Sequence, residues 1–125
     1  MKILHIEDDP DFSFWLRENL EIYGIETTWI GSALAAIEEL KKDPNRFDLI
    51  IVDGSPGDLD GDAVVNEIRS LTLSVPILTQ SDSTEFIKKQ FAAGSVGAIP
   101  RNKINKNEFY KLEEILRDLV LRYKS

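Results

Sequence analysis

Three acidic side chains and one hydroxyl follow short apolar runs in this sequence. Glu7 and Asp8 come directly after the run over residues 2–6, Asp53 ends a second run, and Ser81 follows a third. Runs of this length and composition are typical of strands buried on both faces of a parallel sheet. Because the carboxyl ends of parallel strands share one edge of the sheet, we expect these four residues to converge on one pocket.

Three carboxylates in one pocket need a compensating charge. Two unit charges about 4 Å apart repel by about 4 kcal/mol at an effective dielectric constant of 20. Such a cluster therefore binds a cation or has raised pKa values. An all-oxygen ligand set suits Mg²⁺, with Mn²⁺ as the alternative. With the cation bound, an incoming phosphoryl group becomes tolerable and a carboxylate can accept it. The cluster predicts metal-dependent phosphoryl transfer.

The elements that position these residues alternate along the chain. We predict an α/β fold in which helices cover both faces of a five-stranded parallel sheet, formed as one domain over residues 1–125. In such a fold the ligand lies at the carboxyl ends of the strands. Strands are predicted over residues 2–6, 25–30, 48–52, 75–80 and 96–99, and helices over 10–23, 33–42, 63–71, 83–94 and 105–124.

Polar residues at the predicted helix starts have structural interpretations. Asp9 before Pro10 predicts a helix cap, and so do Ser32 and Asn105. The stretch Asp82-Ser83-Thr84-Glu85 resembles a capping box with Asp82 as the cap. His5 lies inside a strand without a second His or Cys, so we expect a buried, hydrogen-bonded histidine. The acids with the simplest interpretation, solvated loop and helix-start residues, are Asp58, Asp60 and Asp62.

Composition excludes several classes of function. The chain of 125 residues has a net charge of −7 and no cysteine. The negative charge argues against binding to nucleic acid or to an anionic membrane surface. The lack of cysteine excludes disulfides and zinc–thiolate sites. No signal-peptide pattern follows Met1, and no apolar run approaches the ~20 residues of a membrane helix. A cytoplasmic location is the expectation.

The chain resembles a receiver domain of two-component response regulators over essentially its whole length. The segment ILHIEDDP is similar to the family's first strand and acidic pair, and FDLIIVDGSPGDLDG to the strand and loop around its phospho-acceptor aspartate. VPILTQS resembles the strand that ends in the family's Ser or Thr, and AGSVGAIPRN the approach to its Lys. The resemblance implies a flavodoxin-like (βα)5 fold with strand order 2-1-3-4-5.

The resemblance also implies residue roles. Asp53 would be the phospho-acceptor. Asp8 would be a direct metal ligand and Glu7 would act through water. Ser55 would give its backbone carbonyl to the metal, and Ser81 would hydrogen-bond the phosphoryl group.

Several positions depart from the family pattern. Arg101 occupies the position of the family's Lys. A guanidinium can still bind phosphate there, although an Arg and a Lys are not interchangeable. Lys103 is a nearby alternative cation. Asp82 replaces a small residue beside the phosphoryl site, where an acid is expected to repel the phosphoryl group or restrict its access. Three further positions differ from the family pattern. Asn102 replaces the usual Pro after the Lys position, and Ala98 occupies the aromatic switch position. The proline that follows the phospho-acceptor comes one residue early, at Pro56.

These features imply a signalling switch. The phosphoryl donor would be a histidine kinase or a phosphotransfer protein, and the domain would itself catalyse the transfer. Output would pass to a downstream protein through the Ser83–Gly94 helix, the Val96–Ile99 strand and the Asn105–Lys124 helix. Because the sequence ends with the fifth helix, we expect a receiver that acts through a partner or a relay, or a receiver excised from a longer protein; a homodimer is left open.

Two alternative functions are left open, and the first of them has the same fold. A pseudo-receiver would bind partners without useful phosphorylation, which the changes at Arg101, Asp82 and Ala98 favour. An aspartate-nucleophile phosphohydrolase normally carries a second acid two residues after the nucleophile. Ser55 stands there, so this alternative ranks low.

Overall fold

The computed structural model of the protein describes residues 1–72, 74–102 and 104–124, and for residue 124 the backbone only. Five strands form one sheet in the order β2-β1-β3-β4-β5, and every neighbouring pair is parallel. The predicted fold class and strand order are confirmed. The strands are β1 (Lys2–Ile6), β2 (Glu26–Ile30), β3 (Leu49–Asp53), β4 (Ile77–Gln80) and β5 (Gly97–Ile99).

Helices cover both faces of the sheet because alternate side chains of each strand point to opposite faces. In β3, Ile50 and Val52 pack into one core with residues of α2 and α3, whereas Leu49 and Ile51 pack into the other with residues of α1 and α5. The helices are α1 (Pro10–Glu21), α2 (Ala33–Lys42), α3 (Gly61–Leu71), α4 (Thr84–Ala93) and α5 (Phe109–Lys124), and a 3₁₀ turn (Lys106–Glu108) precedes α5.

The register of the sheet brings the carboxyl ends of β1, β3 and β4 together. Ile6 pairs with Val52, and Asp53 pairs with Gln80. The next residues along the chain, Glu7 after β1 and Ser81 after β4, therefore emerge at the same edge as Asp53. None of the helices in the described part of the chain has the length and hydropathy of a membrane span.

Most element boundaries agree with the prediction to within two residues. The cap predictions for Asp9 and Ser32 are confirmed, since Asp9 accepts from the N–H groups of Asp11 and Phe12, and Ser32 from Ala35. The predicted cap Asn105 accepts from Asn107 at the start of the 3₁₀ turn. Helix α3 begins at Gly61, two residues before the predicted start.

The prediction that Asp82 caps α4 is wrong. Ser83 is the cap, and its hydroxyl accepts a hydrogen bond from the N–H of Phe86. Asp82 lies one residue too early for that geometry, and its carboxylate bonds instead to the N–H groups of Arg101 and Asn102. The capping pattern in the sequence thus identified the helix start but assigned the cap to the wrong neighbour.

Asp58 is not simply a solvated loop acid. Its carboxylate accepts hydrogen bonds from Ala33 N at 2.9 Å, Leu34 N at 3.2 Å and Ser32 Oγ at 2.7 Å. Burial works to raise the pKa of Asp58, but these hydrogen bonds outweigh it and hold the pKa below its usual value. Asp58 therefore ties the loop that follows β3 to the amino-terminal end of α2.

We expect the substitution Asp58→Ala to lower the free energy of unfolding by about 1 kcal/mol, because two N–H groups at the start of α2 lose their acceptor. Urea denaturation at neutral pH measures this loss. Glu18→Ala, which removes an exposed acid from α1, is the matched control and should have a much smaller effect.

The contribution of Asp58 should depend on pH. Because its folded-state pKa lies below the usual value of 3.8, ionised Asp58 stabilises the fold above pH ~4, and this stabilisation disappears as the pH falls through the folded-state pKa. The difference in stability between the wild type and Asp58→Asn should shrink over that acidic range. A difference that stays constant with pH would contradict this assignment.

Candidate functional site

An acidic cluster occupies the carboxyl edge of the sheet. One carboxylate oxygen each from Glu7, Asp8 and Asp53 lies within 4.8 Å of the other two. Glu7 is fully buried, Asp53 is 7% exposed and Asp8 is exposed. The cluster forms because Glu7 and Asp8 follow β1 directly, while Asp53 ends the neighbouring strand β3. The structure thus brings together the three acids that the sequence analysis expected to converge.

Arg101 supplies a positive charge to this cluster. Its Nη1 lies 2.6 Å from Glu7 Oε1 and 3.1 Å from Asp53 Oδ1, and its Nη2 lies 3.4 Å from Asp9 Oδ2. The guanidinium carbon also stacks 4.3 Å from the centre of the Phe12 ring. Asp9 therefore has a second role besides capping α1. The guanidinium is held by an aromatic face and by carboxylates from three positions of the chain.

Burial perturbs the pKa values of both inner acids, and neighbouring charges modify the effect. Burial raises the pKa of Glu7 to about 7, and the nearby charge of Asp53 adds to this effect while Arg101 opposes it. Burial also raises the pKa of Asp53, with Asp8 adding to the shift and Arg101 opposing it. Negative charge is therefore disfavoured at both carboxyl groups, and a cation bound beside them would favour their ionised forms.

The residues fit a divalent metal ion. Glu7 Oε2 is buried and has no hydrogen-bond partner among the residues that the structure describes. Buried carboxylate oxygens normally have a partner, so this atom is suited to a ligand or to an ordered water. The carboxylates of Asp8 and Asp53 lie beside it, and an all-oxygen set of this kind suits Mg²⁺.

An open cleft of about 350 Å³ adjoins the cluster. Ser81 follows β4 and lines this cleft, where its Oγ accepts a hydrogen bond from Ser83 N at 2.9 Å. Ser55 lies exposed at the same cleft. Gly54 is required by the close approach of Ser81, because a Cβ at position 54 would lie 2.8 Å from Ser81 Oγ. The cleft thus exposes a hydroxyl and a guanidinium beside Asp53.

A chain of buried polar side chains lies under the site. His5 Nε2 is 3.1 Å from Gln80 Oε1, His5 Nδ1 is 3.1 Å from Ser13 Oγ, and Gln80 Nε2 donates to Pro100 O. Since the Gln80 amide nitrogen is used as a donor, His5 must donate from Nε2 and accept at Nδ1. Burial lowers the pKa of His5 to about 4, so the ring is neutral at neutral pH. The prediction of a buried, hydrogen-bonded His5 is confirmed.

Gln90 of α4 is a site residue that the sequence analysis missed. Its Nε2 donates to the backbone carbonyl of Asp53 at 2.9 Å, and its Oε1 accepts from Thr79 Oγ1 at 2.8 Å. Gln90 is fully buried, whereas Phe91 beside it is 46% exposed. The available signal in the sequence was a glutamine at a helical position that the spacing of Phe86 and Ile87 directs inward. A Cβ at Gly61 would collide with Gln90, so the two positions constrain each other.

The departures from the family pattern have different outcomes. Asp82 lines the cleft, and its carboxylate accepts hydrogen bonds from two backbone N–H groups. The expectation that this acid repels the phosphoryl group or restricts its access stays a prediction, because Asp82 lines the cleft. Ala98 lies exposed on β5. Lys103, the alternative cation, lies outside the described residues.

Comparison with known proteins identifies the relatives of this chain. Residues 3–112 match the family model described as "Response regulator receiver domain". The chain is 28% identical, over all of its length, to the autoinducer 2 sensor kinase/phosphatase LuxQ of Vibrio vulnificus and covers 14% of that protein. It is 28% identical to the transcriptional regulatory protein RprY of Bacteroides fragilis over 94% of the chain and 50% of that protein. The chain therefore spans half or less of these relatives.

Solved structures share the fold. The receiver domain of a sensor histidine kinase from Pseudomonas aeruginosa, with a magnesium ion coordinated in its active-site cleft, superposes with a TM-score of 0.81 at 23% identity, covering 95% of this chain and 96% of that one. A two-component response regulator from Clostridium difficile superposes with a TM-score of 0.78 at 28% identity, covering 94% of this chain and 96% of that one.

We expect Gln90→Leu to lower the free energy of unfolding by about 2 kcal/mol, because the buried Asp53 carbonyl and the Thr79 hydroxyl lose a hydrogen-bond partner while the side-chain volume is largely kept. Urea denaturation checks the size of this loss. Lys89→Ala, at the exposed neighbouring position of α4, is the control and should change stability little. Equal stability of Gln90→Leu and the wild type would contradict the assigned role.

Proposed function

Since this chain belongs to the response regulator receiver domain family of two-component systems, we propose that it accepts a phosphoryl group on Asp53 from a histidine kinase or a phosphotransfer protein. The observation that carries the proposal is the position of Asp53. Its carboxylate ends β3, lies within the cluster with Glu7 and Asp8, and borders an open cleft that also exposes Arg101 and Ser81.

The proposed reaction is a displacement at phosphorus. A carboxylate oxygen of Asp53 forms a bond to phosphorus while the bond to the donor breaks. With phosphohistidine the P–N bond breaks and the imidazole leaves; with acetyl phosphate a P–O bond breaks and acetate leaves with the electron pair. In either case catalysis consists mainly of positioning and of offsetting charge on the phosphoryl oxygens. The domain itself would provide both the positioning and the charge compensation.

We propose that two side chains hold the phosphoryl oxygens. Arg101 already contacts the Asp53 carboxylate at 3.1 Å, and its guanidinium has the fork geometry that suits phosphate. Ser81 Oγ accepts from Ser83 N, so its own hydrogen is available to donate to a phosphoryl oxygen. We assign Arg101 to charge compensation and Ser81 to sensing the arrival of the phosphoryl group.

A divalent cation completes the proposal. We assign Asp8 and Asp53 as direct ligands, Glu7 as a ligand through water and Ser55 as a ligand through its backbone carbonyl, with Mg²⁺ or Mn²⁺ as the ion. The bound ion would offset the negative charge of phosphoryl oxygens. The support is the orphaned, buried Glu7 Oε2 within an all-oxygen cluster, together with the magnesium ion in the Pseudomonas aeruginosa relative.

We infer that output passes through protein contacts on the face formed by α4, β5 and α5. This face carries a groove of about 210 Å³ between β5 and α5, lined by Ala98, Ile104 and Ile115 among others. Phe91 of α4 and Tyr110 of α5 are exposed there as well. The downstream partner is a protein or a second copy of the chain, and the net charge of −7 argues against direct binding to nucleic acid.

We expect incubation with acetyl phosphate and Mg²⁺ to give one phosphoryl adduct per chain, because Asp53 is the acceptor. Intact-mass measurement should find the adduct in the wild type and in the control Asp60→Asn, which alters an exposed neighbouring acid. The adduct should be absent from Asp53→Asn. A protein that binds Mg²⁺ but forms no adduct would instead be a pseudo-receiver, and rapid turnover of varied phosphate esters would indicate a hydrolase.

We expect Asp8→Asn to weaken Mg²⁺ binding by roughly 10- to 100-fold. Substitution of a residue that only supports a metal ligand already lowers metal affinity by that much, and Asp8 is assigned as a direct ligand. Titration calorimetry measures the affinity directly. Trp29 provides a second signal, because its indole N–H donates to the backbone carbonyl of Glu7 at 2.7 Å and its fluorescence should respond to the ion. An unchanged affinity in Asp8→Asn would overturn the ligand assignment, and Asp60→Asn is again the control.

A further inference from the structure

Asp82 joins the end of β4 to the loop that carries Arg101. Its Oδ1 accepts from Arg101 N at 3.2 Å and its Oδ2 from Asn102 N at 2.8 Å. We propose that Asp82 is a positioning residue for phosphoryl transfer, which holds the Arg101 guanidinium at Asp53 by fixing the backbone from which that side chain departs. This inference rests on the proposed function and adds to it a residue that supplies no atom to the reaction.

In the described part of this loop, up to residue 102, the backbone makes few other hydrogen bonds near Arg101. Strand β5 has three residues and ends at Ile99, whose carbonyl accepts from Ser81 N at 3.1 Å. The next carbonyl, that of Pro100, accepts from Gln80 Nε2 at 3.4 Å, which is a long hydrogen bond. The two bonds to Asp82 come next, on consecutive N–H groups. Because the acceptor is a carboxylate, they are charge-assisted and stronger than neutral hydrogen bonds.

The rest of the Arg101 side chain is held at two further points. The guanidinium stacks on Phe12 at 4.3 Å, and Nη1 contacts Asp53 at 3.1 Å and Glu7 at 2.6 Å. An arginine has many rotamers, and ordering it costs conformational entropy. With its backbone held by Asp82 and its guanidinium held by Phe12 and the acids, the side chain is ordered before a phosphoryl donor arrives.

Three consecutive residues after β4 act on three different parts of the site. Ser81 lines the cleft, Asp82 binds the loop of Arg101, and Ser83 caps α4. A side-chain oxygen of each residue accepts a hydrogen bond from at least one backbone N–H group. The short segment 81–83 thus sets the relative positions of the hydroxyl, the guanidinium and helix α4. Asp82 links the two groups that would contact the phosphoryl oxygens.

In the proposed transfer, a carboxylate oxygen of Asp53 bonds to the phosphorus of acetyl phosphate, and acetate leaves with the electrons of the broken P–O bond. The guanidinium must lie at the phosphoryl oxygens while this exchange occurs, since positioning accounts for much of such catalysis. Asp82 affects the rate only through Arg101. Its removal should therefore have no effect in a protein that already lacks the Arg101 side chain.

The test is a double-mutant cycle on the rate of phosphorylation by acetyl phosphate at saturating Mg²⁺. We expect Asp82→Ala to slow the reaction by about tenfold, which corresponds to about 1.4 kcal/mol. Arg101→Ala should slow it further, and the double variant should equal Arg101→Ala. Asp82→Asn keeps one acceptor oxygen and should recover part of the rate. Glu114→Ala, which removes an exposed acid of α5, should match the wild type.

Two rate outcomes would overturn the proposal. Equal slowing by Asp82→Ala in the presence and absence of the Arg101 side chain would show that Asp82 acts independently of it. Faster phosphorylation of Asp82→Ala would show that the acid repels the phosphoryl group.

A second measurement needs no phosphorylation. In NMR spectra of the unmodified protein, the Phe12 ring should shift the Arg101 side-chain protons upfield in the wild type and in Glu114→Ala. Asp82→Ala should lose this shift while the spectrum of the core stays dispersed. An unchanged shift would overturn the positioning role. If the wild type takes no phosphoryl group, the proposed function fails, and this measurement still decides whether Asp82 positions Arg101.

Discussion

The arrangement of this site depends on two carboxylates buried side by side at the end of the sheet. Glu7 and Asp53 lie on neighbouring strands and share one partner, Nη1 of Arg101. Buried ion pairs gain little net stability because desolvation offsets their attraction, although breaking one costs about 3–5 kcal/mol. Such a cluster is thus a poor means of stabilising a domain. The buried Glu7 Oε2, which has no hydrogen-bond partner among the described residues, and the all-oxygen cluster fit the binding of a metal ion.

A layer of polar side chains supports this edge of the sheet from beneath. His5 and Gln80 connect β1 and β4 to the loop after β5, and Gln90 connects α4 to the backbone of Asp53. Fully satisfied buried networks are rigid, since each unpaired member would be costly. Any shift of the Asp53 backbone must therefore move or break the bond to Gln90. The network gives α4 a direct hydrogen bond to the backbone of Asp53.

Sequence reasoning succeeded where the signal is local or repeats with a fixed period. Apolar runs, and for β2 a run of β-branched and aromatic residues, identified the five strands, and the Asp9 and Ser32 caps followed from their immediate neighbours. The acids at the strand ends were found because parallel strands have a common direction. Reasoning failed for Asp58 and Asp82, whose side chains accept hydrogen bonds from N–H groups 24 to 25 and 19 to 20 residues away.

The sequence by itself determined the strands, the caps nearest to them and the convergence of Glu7, Asp8 and Asp53 at one edge. Only the tertiary structure decided which groups those acids contact. The pairing of Arg101 with the cluster and of Gln90 with Asp53 joins residues 48 and 37 positions apart. Patterns of hydrophobicity specify which face of an element is buried, but the partner of a polar side chain depends on register and loop path.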